Sequence, residues 1–183
     1  MDTKSCALLT LFGQDRPGIV AQVTRVLFET GCNIADSSMT RLGGEFTIML
    51  VVRLPDSYSV DTLYNKLAPV AKEMALDHHI KELDPDVALN SNPTRPEREC
   101  IISVLGADQP GIVYRVAEAI QMTGGNVSDL YTQVIGSSAQ PIYTMTIETE
   151  YSSNIEAIQE RLDQLAVEMQ VEISLRMVQS SPL

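Results

Sequence analysis

The sequence predicts an α+β protein made of two βαββαβ modules, each a four-stranded antiparallel sheet with two helices on one face. Three features lead to that class. The octet Gly13-Gln14-Asp15-Arg16-Pro17-Gly18-Ile19-Val20 returns as Gly106-Ala107-Asp108-Gln109-Pro110-Gly111-Ile112-Val113, 93 positions later, with Gly, Asp, Pro, Gly, Ile and Val in register. Each copy follows a short apolar run and precedes a helical pattern, two extended runs, a second helical pattern and a last strand. Between the two series, residues 85–99 hold Pro85, Pro93 and Pro96 and little apolar content, the composition of a semi-extended linker. The expected division is a first domain at 1–84, a linker at 85–99 and a second domain at 100–183. A module of that size buries only ~60 to 65% of its unfolded surface, which favours packing the two modules against each other or against another chain, and a homodimer is expected.

In chain order, Ser5 to Phe12 is apolar and closed by Gly13, long enough for one buried strand and too short for a helix. After the Pro17-Gly18 turn, Ile19, Val20, Val23, Val26 and Leu27 have the spacing of one helix face, and Gly31 ends the helix. The run Asn33 to Arg41 and the run Phe46 to Val52 flank Leu42-Gly43-Gly44-Glu45. A Gly-Gly pair there supplies the positive φ angles of a tight hairpin, and Phe46, Ile48, Leu50 and Val52 share one strand face. Ser57 and Ser59 offer N-caps for a second helix with Val60, Leu63 and Leu67 inward, and Pro69 predicts a kink or restart near Ala68. Leu76 to Leu83 closes the module.

The second module repeats the order. Cys100 to Leu105 is its first strand, and Pro110 to Thr123 its first helix, with Ile112, Val113, Val116 and Ile120 inward and Gly124-Gly125 as the stop. Asn126 to Ile135 and Ile142 to Thr149 form the hairpin around a longer loop, Gly136 to Pro141. Ser153 and Glu156 have the form of a capping box before a helix with Ile155, Ile158, Leu162, Leu165 and Met169 on one face. Val171 to Val178 is the last strand. The arrangement in each half is the split βαβ, or ferredoxin-like, one, with a right-handed crossover from the first strand to a parallel partner.

The net charge is −11, and no Lys/Arg run occurs, so direct nucleic-acid binding, which needs a basic face, is disfavoured. With no Trp and few other aromatics, a base-stacking platform is disfavoured too. Cys6, Cys32 and Cys100 have no Cys-x-x-Cys spacing and read as reduced, buried thiols of a cytoplasmic protein. No stretch approaches the ~18 apolar residues of a membrane span, and Met1, Asp2 and Lys4 begin no long apolar run, so no membrane association is expected.

The repeated turn carries the chemistry. Pro17 and Pro110 suit the first turn of a helix, where a missing N–H costs nothing, and Gly18 and Gly111 leave neighbouring N–H groups uncovered. Such N–H groups, backed by the helix dipole, suit a carboxylate or phosphate. Asp15 and Asp108 precede the turn as acceptors for an ammonium group. Asn33 and Asn126 open the next strand, 15 residues after Gly18 and Gly111, and bring amide groups. By local rules alone the same residues also serve structure: Asp caps a helix entry, Gly permits close approach, and Asn tolerates a left-handed turn.

The pattern Asp-x-Pro-Gly-Ile-Val after the first strand, with Gly-x-Asn-Ile/Val entering the next, resembles the ACT domain, a regulatory amino-acid-binding module. Both halves carry it: Asp15 to Val20 with Gly31-Cys32-Asn33-Ile34, and Asp108 to Val113 with Gly124-Gly125-Asn126-Val127. The resemblance implies a tandem, non-enzymatic regulator that senses a small amino acid, glycine or serine first, and acts on transcription through a protein partner such as a transcription factor. It also admits a ligand-free interaction module or the regulatory subunit of a metabolic enzyme. It implies ligand contacts at Asp15, Gly18, Ile19 and Asn33, and at Asp108, Gly111, Ile112 and Asn126, with Arg16 against Gln109 and Cys32 against Gly125 as differences between copies.

Other groups suggest little chemistry. His78 and His79 are strand neighbours facing opposite sides, which suits one exposed and one partly covered side chain better than a metal pair. Asp36 and Asp129, at matched positions, line the site or solvate an outer face. Met39, Met49, Met74, Met145 and Met169 fill core or interface gaps. No Ser/His/Asp set, Walker loop or metal-ligand cluster is present in the pattern, so neither catalysis nor a cofactor is expected.

Overall fold

Alternating burial along one strand, Glu45–Arg53, sets the core face of the first sheet. The computed structural model describes residues 5–56, 58–86, 99–137, 140–151 and 155–178. The chain divides into two compact units, Met1–Asn92 and Pro93–Leu183. The first contains β1 (Cys6–Gln14), α1 (Ile19–Glu29), β2 (Asn33–Leu42), β3 (Glu45–Arg53), α2 (Val60–Glu73) and β4 (Leu76–Leu83). The second contains β5 (Glu99–Gly106), α3 (Ile112–Met122), β6 (Gly125–Ser137), β7 (Gln140–Tyr151), α4 (Ile155–Met169) and β8 (Glu172–Val178). Of the linker expected at 85–99, residues 87–98 lie outside those described, while Glu99 already pairs with Glu150 and Val178.

Both sheets are antiparallel throughout, with orders β2-β3-β1-β4 and β6-β7-β5-β8. The α1 crossover therefore links parallel strands with β3 inserted between them, the split arrangement the sequence predicts. Phe46, Ile48, Leu50 and Val52 are all buried, and with Leu9 and Leu11 they meet Ile19, Val23, Leu27, Leu63 and Leu67 of the helices. Each such side chain contributes roughly 1.5–3 kcal/mol of burial energy. In the second unit Ile102, Val104, Met145 and Ile147 meet Val116, Ile120, Ile158 and Leu162 in the same way. Among the described residues Thr149 is the one buried polar residue, and its hydroxyl donates to the Asn126 carbonyl at 2.7 Å.

Several expectations are corrected. The helices α1 and α3 start at Ile19 and Ile112, so Pro17 and Pro110 lie before the N-caps, Gly18 and Gly111, rather than in the first turn. Val20 and Val113 turn outward, because the stripe at Ile19, Val23, Val26 and Leu27 sets the buried face and a neighbour of Ile19 lies about 100° away from it. The helix α2 runs unbroken through Pro69. That proline is exposed, and so is Asn65, whose carbonyl it deprives of a helix N–H where solvent has access, while Leu67 and Ala71 hold the helix on the core. The predicted loop at Gly136 to Pro141 is shorter, since Gly136 pairs with Pro141 and Ser137 with Gln140. Met145 is buried, but Met39 and Met49 are about half exposed.

Other expectations hold. Leu42 pairs with Glu45 across Gly43 and Gly44, both at positive φ, as a two-residue hairpin requires. Ser59 caps α2, accepting from the Thr62 N–H at 3.2 Å, whereas Ser57 and the Ser153 capping box lie outside the described residues. His79 is exposed. His78 is half-buried and stacks on Tyr64 with ring centroids 4.3 Å apart.

Two measurements test these cores. The Nε2 of His78 is buried and meets no hydrogen-bond partner among the described residues. Replacement His78→Phe keeps the stack and removes that atom, so urea denaturation should show a gain of about 1 kcal/mol, and an equal loss would mean the nitrogen is bonded in solution. Burial pushes the Cys100 thiol from 9.0 up to about 11. The fold disfavours its thiolate, so this stabilisation is complete below about pH 9 and is lost as the pH rises towards 11, on the order of 2–3 kcal/mol. The Cys100→Ala chain should show a shallower loss over that window in denaturation at stepped pH.

Candidate functional site

The end of the first sheet where β1 stops and the β2–β3 hairpin turns is where the repeated octet lies. Gly13 pairs with Phe46, and Asp15 donates its N–H to the Gly44 carbonyl at 3.0 Å, fixing the chain just before α1. Gly18 then adopts φ 95° as the N-cap and Gly111 adopts φ 96°, a left-handed conformation costly for any residue with a Cβ. Neither N-cap is reinforced by a side chain. Asp15 therefore does not cap α1. Its Oδ2 instead accepts from Arg41 Nη1 at 3.2 Å.

A cleft of about 560 Å³ opens there, lined by Asp15, Arg16, Gly18, Ile19, Val20, Ala21, Met39, Arg41 and Phe46. It combines a helix N-terminus, one carboxylate, two guanidinium groups and an apolar wall, in the size range of small-molecule sites. A zwitterion fits this polarity: an anionic group towards the helix N–H groups or Arg41, and a cationic one towards Asp15. Of the residues expected from sequence, Asp15, Gly18 and Ile19 line this cleft. Asn33 does not. It pairs with Arg53, whereas Arg41 pairs with Phe46, so Asn33 sits at the far end of β2, roughly 25 Å of strand away.

In the second unit Gly111 repeats the turn, but its neighbours differ. Matched by strand register, Val134 stands for Arg41, Thr132 for Met39 and Tyr143 for Phe46. Gln109, the counterpart of Arg16, donates from Nε2 to the Met169 carbonyl at 2.7 Å, tying the turn to the end of α4. Arg16 has no such tie and reaches Gln14 Oε1 at 3.2 Å. Burial, with a smaller effect from Asp108, raises the pKa of the Tyr143 hydroxyl. Ile112 is buried, and Asn126 pairs with Glu150 at the opposite end of β6 from Val134. A cleft of about 560 Å³ in this unit is lined by Ala107, Ile142 and Val167 among others, and not by Asp108 or Gly111.

Arg41, Met39 and Phe46 escape the sequence reading, although one signal was available: a two-residue turn at Gly43-Gly44 pairs Arg41 with Phe46. The matched Asp36 and Asp129 follow register shifts in β2 and β6, and each carboxylate accepts the next residue's N–H, at 2.7 Å from Ser37 and 2.8 Å from Leu130. They shape the bulges. Among the described residues, no helix is long and apolar enough to cross a membrane.

Residues 5–81 and 99–176 each match the ACT domain. Over 182 residues the chain is 27% identical to the glycine cleavage system transcriptional repressor of Escherichia coli (strain K12), across 95% of this chain and 90% of that one. A UPF0237 protein of Methanopyrus kandleri is 37% identical over 79 residues, 43% of this chain and 88% of its own. A solved structure of an unknown protein from Galdieria sulphuraria matches with a TM-score of 0.80 at 22% identity, over 96% of this chain and 99% of that one. Another, assigned as a glycine cleavage system transcriptional repressor, matches at 0.69 and 21% identity over 97% and 99%. At such identities the two structures speak for the fold.

The left-handed N-caps make a testable demand. A Cβ at Gly18 or Gly111 meets nothing within 4 Å, so any cost of substitution comes from the backbone alone. Gly18→Ala and Gly111→Ala should each lower stability by about 1–2 kcal/mol in urea denaturation, and Asn at either site by less.

Proposed function

Because this chain belongs to the ACT domain family along both of its halves, we propose that it is a non-enzymatic regulator that senses a small amino acid. Glycine and serine are the first candidates. The observation that carries this reading is the cleft at the start of α1, where uncapped helix N–H groups, Asp15 and Arg41 converge. The α-carboxylate would meet the N–H groups and Arg41, the ammonium group Asp15, and a short side chain Val20 and Met39. The repressor of Escherichia coli, similar over nearly the full length, supports glycine as the first ligand to try and transcription as the regulated process.

With a net charge of −11, the chain is a poor direct ligand for DNA, which supports action through a protein partner. A ligand changes such a partnership only by its differential affinity for two states of the regulator. Here it would bridge the start of α1 and the edge strand β2, two elements otherwise joined at this point by the Arg41–Asp15 pair. Asn33 and Asn126, at the far ends of their strands, enter this reading only if a second module of a dimer brings them to a cleft. A second reading, an interaction module without ligand or the regulatory subunit of an enzyme, is favoured by the replacement of Arg41 by Val134 in the second unit.

Calorimetric titration of the chain with each of the twenty amino acids separates the two. Glycine or serine should give saturable heat and raise the thermal midpoint. Silence from all twenty in both measurements would remove the sensor and leave the interaction module.

A further inference from the structure

Resting on the sensor reading above, we infer that amino-acid recognition is confined to the first unit and that Arg41 confers it. The two units share the left-handed glycine and the uncapped helix start, so that feature cannot distinguish them. They differ in what faces it. The same register shift precedes Asp36 and Asp129, so Arg41, opposite Phe46, and Val134, opposite Tyr143, occupy one position of the fold.

Arg41 and Asp15 are substantially exposed, with side-chain accessibilities of 67% and 33%, and a pair of that kind contributes little to folding. Only one hydrogen bond of its five-donor guanidinium is used by Asp15, which leaves the rest of the fork for a carboxylate. Arg16 lines the same cleft, so the charge facing a ligand there is net positive. In the second unit Val134 offers no donor, and the Gln109 side chain is drawn to the end of α4 by its bond to the Met169 carbonyl. Asp108 remains without a guanidinium in the position of Arg41, and an incoming carboxylate meets like charge.

The test titrates the full chain and its Arg41→Val and Val134→Ala variants with the twenty amino acids of the panel. Arg41→Val installs the residue the second unit itself carries on an exposed edge strand, so the thermal midpoint should stay at the wild-type value. Any amino acid that binds should do so at one per chain, with affinity lowered at least about tenfold by Arg41→Val and unchanged by Val134→Ala. Two equivalent sites, or wild-type affinity in Arg41→Val, would overturn the inference while leaving the sensor intact. Silence from the wild-type chain overturns the sensor itself, and this inference with it.

Discussion

Each unit turns on one backbone constraint, a glycine at φ near 95° between the first strand and the first helix. The first strand ends paired between β3 and β4, or β7 and β8, and a few residues later the helix begins with Ile19 or Ile112 in the core. A left-handed N-cap sets the chain into the helix at the last residue of that connection. It also leaves the helix start open, because the N-cap has no side chain to return to the helix N–H groups. The conformation that packs the helix is therefore the one that exposes an anion-friendly terminus, and both uses derive from a missing Cβ.

Around this shared feature the copies have diverged. In the first, Arg41 crosses from an edge strand to Asp15, and Phe46, Met39 and Val20 provide apolar walls. In the second, Gln109 fastens the turn to the end of α4, and the strand opposite presents Val134. The buried scaffold is conservative by comparison, with Leu9 and Ile102 on the central strands and Val23 and Val116 on the first helices filling comparable places. Buried positions differ as well, as Phe46 and Tyr143 or Val52 and Thr149 do, but most stay apolar, and a core keeps its fold through exchanges of that kind.

The edge position of β2 matters to this picture. Its residues are exposed along its whole length, so its side chains are free to meet ligand or partner, and its pairing to β3 sets which of them reach α1. A ligand held between Arg41 and the helix start would join an edge strand to a core helix. Such a bridge would act as a lever, because edge strands hold fewer contacts than central ones and shift at lower cost.

The two modules, their element order, the Gly43-Gly44 hairpin and the core faces of β3, α2 and α4 were legible in the sequence, because alternation by two, the helical period and Gly-Gly turns are local rules. So was the turn, since Asp15, Pro17 and Gly18 repeat as Asp108, Pro110 and Gly111. Pro69 shows a local rule losing to packing: buried Leu63, Leu67 and Ala71 hold α2 continuous across it. Which residues face the turn was decided only by the tertiary structure. Asn33, near it by motif, lies at the far end of β2, and Arg41, 26 positions from Asp15, bonds to it. The Gly43-Gly44 turn sets Arg41 opposite Phe46, but only the long-range pairing of Phe46 with Gly13 carries that end of β2 to the helix start, and no local pattern encodes that register.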